Sequence, residues 1–108
     1  MNIDIDIEKP LQQGYTIYSK DNCKYCTNIK HYLTNQGIPF YEIACDAYLN
    51  TDSSKQTFLE TMANWIGKPY KMFPMVFQNG SFLGGYTETK NYIERELDTN
   101  FDFNMMTC

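Results

Sequence analysis

Apolar residues alternate in some stretches of the chain and recur every three or four positions in others. These two periods divide it into elements. Ile3, Ile5 and Ile7 alternate with Asp and Glu, the pattern of a short edge strand, although Asp is a poor strand former. Lys9-Pro10 breaks that run, so residues 1–13 read as an N-terminal extension. Gly14 to Lys20, with Tyr15-Thr16-Ile17-Tyr18 inside it, is the first strand. Asp21-Asn22 follows as a turn and N-cap. A helix from Lys24 to about Gln36 sets Tyr25, Ile29, Tyr32 and Leu33 on one stripe, and Gly37 stops it. Ile38 to Cys45 is a second strand, alternating over Phe40 to Cys45. The polar stretch Asp46 to Ser54 carries turn formers and helix caps. Beyond it Phe58, Leu59, Met62, Trp65 and Ile66 form the clearest amphipathic helix, ended by Gly67-Lys68-Pro69. Pro74 to Gln78 is a third strand, Asn79-Gly80 a hairpin turn, and Ser81-Phe82-Leu83 the returning strand. Gly84-Gly85 breaks it. Thr87 reads as an N-cap and Lys90 to Leu97 as a last helix with Tyr92, Ile93 and Leu97 inward. The tail, 99–108, has no clear period; Phe101, Phe103, Met105 and Met106 are available to pack back on the body.

The order is β-α-β-α-β-β-α. A helix joins the first two strands, so they are expected to be parallel with a right-handed crossover, while the last two form an antiparallel hairpin. An α/β fold follows, a mixed four-stranded sheet with helices on both faces. The 108 residues make one domain, taken as 14–98 between the extension and the tail. A hydrophobic content of 43% is expected to supply one core but not two. No internal repeat is visible.

Charge narrows the partners. The net charge is −4 and the nine basic residues are scattered, which argues against nucleic acid. No run approaches the length of a membrane span. The first residues lack the basic start and apolar core of a secretory signal, so a cytoplasmic location is expected, host cytoplasm if the source is viral. Cys23 and Cys26 are close together while Cys45 and Cys108 are isolated. One working pair in a reducing compartment fits that spacing better than a secreted disulfide framework.

The chemistry centres on Cys23-Lys24-Tyr25-Cys26. A strand delivers this tetrapeptide and a helix opens on it. A helix start offers unpaired N–H groups and the positive end of a dipole, which favour thiolate over thiol. The pair reads as a redox dithiol or as half a zinc site. Zinc needs four ligands, and His31, Cys45 and Cys108 do not repeat the spacing. Thiol–disulfide exchange needs an attacking thiolate and a second thiol within reach. Cys23, at the helix start, is expected to be the more exposed and Cys26, a turn inside, the more buried. Helix starts and nearby Lys lower a free cysteine from about 8.5 to roughly 3.5–7.5, and Lys20 and Lys24 supply charge here. Cys45 reads as a small core hydrophobe, Cys108 as a terminal thiol, His31 as a solvated helix residue and Trp65 as packing.

Three segments carry a resemblance. Lys20-Asp21-Asn22-Cys23-Lys24-Tyr25-Cys26, Lys68-Pro69-Tyr70-Lys71-Met72-Phe73-Pro74-Met75-Val76-Phe77 and Gly84-Gly85-Tyr86-Thr87-Glu88 occur in order. From about Gly14 to Leu97 the chain resembles the dithiol glutaredoxins, whose fold is the thioredoxin-like arrangement. It departs from them in Lys24 for the usual proline, in Met72-Phe73-Pro74 for Thr-Val-Pro, and in Glu88 for the common Asp. The resemblance implies a glutathione-dependent thiol–disulfide oxidoreductase with Cys23 as nucleophile and Cys26 as resolving thiol. It also implies a glutathione site made by Lys20, Tyr25, Met72, Phe73, Pro74, Gly85, Tyr86, Thr87 and Glu88. Pro74 would be cis, so that the Phe73 backbone pairs like a strand with the bound peptide. Backbone N–H groups at Thr87-Glu88 would meet a carboxylate, with Glu88 facing the ligand's amine. Glutathione would act as co-substrate, with no bound cofactor and no metal. Disulfide-containing or glutathionylated proteins, ribonucleotide reductase among them, are the implied clients of a monomer. Two alternative readings are an iron–sulfur cluster carrier ligated by glutathione and a reductant linked to thioredoxin reductase.

Overall fold

In a computed structural model the backbone is described for residues 6–106 and the side chains for 6–97. Among the described residues the chain forms β1 (Tyr15–Ser19), α1 (Lys24–Asn35), β2 (Phe40–Ala44), a 3-10 helix (Asp46–Leu49), α2 (Asp52–Ile66), β3 (Met75–Gln78), β4 (Ser81–Gly84) and α3 (Tyr86–Met106). The sheet order is β2-β1-β3-β4, with β1 parallel to β2 and antiparallel to β3, and β3 antiparallel to β4. This is the expected thioredoxin-like sheet. Ile3 and Ile5 lie outside the described residues, and residues 6–13 form no strand.

Central β1 is buried on both faces from Thr16 to Ser19, so its side chains feed two apolar layers. Tyr18 joins Ile7, Ile43, Cys45, Phe58, Met62, Met75 and Phe77 beneath α2. Ile17 joins Ile29, Leu33, Val76 and Ile93 beneath α1 and α3. The expectation of a single core is corrected: a sheet covered on both faces needs an apolar layer on each. Trp65 and Ile66 pack on the first layer from its rim.

Helix ends follow local chemistry. At the end of α1 the Ile38 N–H donates to Leu33 O at 2.9 Å and the Gly37 N–H to Thr34 O at 3.0 Å, a Schellman closure. Thr51 caps α2, its side chain accepting the Ser54 N–H at 3.1 Å. The β3–β4 turn has positive φ at Asn79 (53°) and Gly80 (84°), the type I′ geometry that Asn-Gly favours.

Three expectations are corrected. Asp21-Asn22 does not cap α1. Asn22 is left-handed (φ 55°) and Cys23 is the cap. The last helix begins at Tyr86, not Lys90, so Thr87 lies inside its first turn. It also continues through most of the supposed tail, to Met106, while the side chains of Phe101, Phe103, Met105 and Met106 lie outside the described ones. At 1.5 Å per residue α3 spans roughly 31 Å and outruns strands of four or five residues. Leu97, expected inward, is therefore exposed, while Ile93 is buried.

The N-terminal segment is fastened at Glu8. Its N–H donates to Tyr48 Oη at 3.1 Å, its carbonyl accepts from the Tyr18 hydroxyl, and its carboxylate accepts from the Tyr41 hydroxyl.

Candidate active site

The cysteines are set by the junction of β1 and α1. Cys23 is extended (φ −117°, ψ 104°), so its sulfur turns back over the first turn and accepts the Cys26 N–H at 3.2 Å. Cys23 is half-buried and Cys26 buried, in the expected order. The two are joined as a disulfide, with their Cα atoms 5.2 Å apart. Cys45 is the small core residue expected: buried, with its thiol donating to Ile43 O at 3.5 Å. Burial, and then the charge of Asp46, push that thiol up to about 12, so it stays protonated and outside the redox chemistry. His31 is exposed on α1.

A cavity of about 270 Å³ opens beside the pair, lined by Tyr25, Tyr70, Met72, Phe73 and the run Gly85 to Glu88. Seven of the nine residues named for glutathione thus meet in one place. Tyr25 does not join the buried stripe of α1; it is 54% exposed and faces Tyr86, ring centroids 5.5 Å apart. Phe73 precedes Pro74 through a cis peptide, as the resemblance implied. Pro74 is buried and does not line the cavity. Lys20 does not line it either; its ammonium lies over the Phe73 ring, 5.5 Å from the centroid. The Phe73 ring in turn stacks on Phe58, which stacks on Tyr48.

The start of α3 closes the cavity. The Thr89 N–H donates to Gly85 O at 3.0 Å, which makes Gly85 the cap residue. The Glu88 carboxylate reaches back and accepts the Gly85 N–H at 3.0 Å, half of a capping box. Gly84 is required for this. It has φ 145°, and a Cβ there would fall 2.5 Å from the Glu88 Cβ.

A separate polar groove of about 590 Å³ runs along the other flank of the cysteines. Lys20, Asp21 and Cys23 line it from the β1–α1 connection, Lys24, Cys26 and Lys30 from α1, together with Glu42 and Asp46. Glu42 Oε2 accepts from Ser19 Oγ at 2.6 Å and from Lys30 Nζ at 2.8 Å. Desolvation pushes the Glu42 carboxyl up, but the hydrogen bonds from Lys30 and Ser19 outweigh it and hold the group below its usual range.

Sequence reasoning missed Tyr70. It lines the cavity, and its ring meets Phe82 edge-on at 4.8 Å. Burial, then the nearby charge of Glu88, raises its hydroxyl. Its signal was an aromatic inside the second quoted segment. Ser19, Lys30 and Glu42 had no local signal, because they meet only where β1 pairs with β2 and α1 packs beside them.

A parallel strand pair, a hairpin and a dithiol at the start of the first helix define the thioredoxin-like class of CxxC proteins. The glutaredoxin family model matches residues 15–83, and the chain belongs to the glutaredoxin family. It is 29% identical to Glutaredoxin-C2 of Arabidopsis thaliana over 79 residues, 73% of this chain and 66% of that one. It therefore spans just under two thirds of that relative's length. Glutaredoxin 1 of Francisella tularensis, solved with cacodylate, shares its fold at TM-score 0.64 and 24% identity, covering 78% of this chain and 95% of the other. The buckwheat glutaredoxin–glutathione complex does so at TM-score 0.60 and 22% identity, covering 77% and 70%.

Proposed function

We propose that this protein is a glutathione-dependent thiol–disulfide oxidoreductase acting on protein disulfides and on glutathione mixed disulfides. The observation that carries the reading is the Cys23 sulfur at the start of α1, accepting the Cys26 N–H beside the Tyr25–Glu88 cavity. In the reduced protein the Cys23 thiolate attacks one sulfur of a substrate disulfide. A Cys23–substrate bond forms, and the other half leaves as a thiolate that takes up a proton. Cys26 then attacks the Cys23 sulfur, releases the reduced substrate and closes the Cys23–Cys26 disulfide. Two molecules of glutathione reopen it and leave as glutathione disulfide, so electrons balance without a bound cofactor.

The cavity suits glutathione by shape and chemistry. Tyr25 and Tyr86 offer ring faces, the backbone at Phe73 offers strand-like pairing, and the start of α3 meets a zwitterionic end. A buckwheat protein of the same fold has been solved with glutathione. The test is glutathione- and NADPH-coupled reduction of a glutathionylated peptide and of a protein disulfide. Cys23→Ser reduces both reactions to background. Cys26→Ser keeps deglutathionylation and loses most protein-disulfide reduction. Full activity in Cys23→Ser overturns the assignment.

A further inference from the structure

We propose that the polar groove beside the dithiol seats the cysteine-bearing segment of a client polypeptide, and that Lys24 selects clients with an acidic residue next to that cysteine. The inference rests on the oxidoreductase reading above and adds a substrate class to its protein-disulfide half. The two depressions around the dithiol are not equivalent. Cys23 and Cys26 both line the groove of about 590 Å³, and neither lines the cavity of about 270 Å³. The residues between them divide between the two: Lys24 lines the groove and Tyr25 the cavity. A client joined to Cys23 therefore enters on the groove side, and the cavity stays open for glutathione.

The charges of the groove are unequally engaged. Lys30 is paired with Glu42 at 2.8 Å. The Lys20 ammonium lies over the Phe73 ring. Asp46 accepts the Asp21 N–H at 2.9 Å. Lys24 is exposed and has no ion-pair partner among the described residues. It is also the first residue of α1, where a cation opposes the helix dipole. Its charge works against the helix start and is left for a bound group.

A residue next to the client's attacked cysteine comes close to the residue next to Cys23. An acidic neighbour meets the Lys24 ammonium, and a basic one is repelled. Charges at the edge of a contact act mainly on the rate of encounter, and salt weakens them. Asp21 and Asp46 oppose an acid in the same groove, so the selectivity is read at Lys24 by substitution and not from the sum of charges.

The experiment uses the reduced Cys26→Ser protein and short peptides whose single cysteine is a mixed disulfide with thionitrobenzoate. The Cys23 thiolate bonds to the peptide sulfur, the disulfide of the probe breaks, and thionitrobenzoate leaves as a coloured thiolate. The residues on both sides of the peptide cysteine are Glu, Gln or Lys. Each rate is divided by that peptide's rate with 2-mercaptoethanol. The protein's net charge of −4 disfavours the Glu peptide as a whole. With Lys24 in place the Glu peptide is nevertheless captured about threefold faster than the Lys peptide at low salt, the scale of one exposed ion pair. Added salt shrinks the ratio. Lys24→Gln loses it and Lys24→Arg keeps it. A change in the reactivity of Cys23 itself acts on all three peptides alike and cancels. Equal normalised rates with Lys24 in place, or a ratio that survives in Lys24→Gln, overturns the assignment. The mixed disulfide of glutathione with thionitrobenzoate, run alongside, keeps the two readings apart. Its capture faster than the Gln peptide supports the glutathione reading whichever way the peptides fall, and no release of thionitrobenzoate from any probe overturns both.

Discussion

The backbone N–H of Cys26 points at the sulfur of Cys23 from 3.2 Å. That donor belongs to the first turn of α1, so it persists whether the sulfur is in a disulfide or is a free thiolate. A negative sulfur gains more from it than a neutral one. Cys23 in reduced protein is therefore expected to titrate below a free cysteine's value of about 8.5. Ultraviolet thiolate absorbance against pH, in a Cys26→Ser background, reads it directly. A midpoint at or above the free value would remove the helix start from the mechanism.

Phe58 supports the cavity from below. Its ring stacks between Tyr48 and Phe73, at centroid distances of 5.4 Å and 6.0 Å. Phe58→Ala leaves a void in the layer under α2 and is expected to cost about 3–5 kcal/mol. Phe58→Leu costs less but removes the flat surface under Phe73, so KM for glutathione rises more than kcat falls. Thermal melts and steady-state kinetics separate the two effects. An unchanged KM in Phe58→Leu would mean that Phe73 is held by its backbone alone.

Glu42 links β2 to α1 and β1 through Lys30 and Ser19. Its folded carboxyl titrates below the unfolded one, so its contribution is present above the unfolded value and fades as pH falls through the folded one. The Tm advantage of wild type over Glu42→Gln should be largest near neutrality. It should start to shrink below about pH 4.3, the free glutamate value. An advantage that persists undiminished into strong acid would assign it to packing.

Cys45 gives the opposite pH dependence. Its thiol is raised to about 12 by burial, so its contribution is complete below the free-thiol value and is lost as pH rises toward the folded one. At mildly alkaline pH, iodoacetamide should modify Cys45 only when the protein unfolds, as peptide mass spectrometry would detect. Labelling of the native protein at the unfolded rate would show the thiol to be accessible.

Most of the framework was legible because its signals are local. The Phe58–Ile66 stripe, the Asn79-Gly80 turn and the β1 apolar run each announce themselves within ten residues. The start of α3 was not, because its cap is made by a side chain from inside the helix. Gly84-Gly85 reads as a break until Glu88 is seen folding back over it. Cys23 hid in the same way: sulfur is not an expected cap acceptor, and Asp21-Asn22 offered better ones. The cavity residues emerged from the family resemblance. Tyr70 and the Ser19–Lys30–Glu42 cluster required the sheet pairing and the turn of the chain after α2.

The hold on Glu8 carries the packed body beyond the residues the family match covers. Likeness to the family begins at residue 15, yet three tyrosines, from β1, β2 and the 3-10 helix, converge on a residue seven positions earlier. A version trimmed to Gly14 would leave the buried Tyr18 hydroxyl without its acceptor, a loss of about 1–3 kcal/mol. It would also uncover the hollow now filled by Ile7, worth about as much again. Ile7 and Glu8 thus belong to the packed body although they precede the matched residues, and they act as a clasp joining β1, β2 and the 3-10 helix.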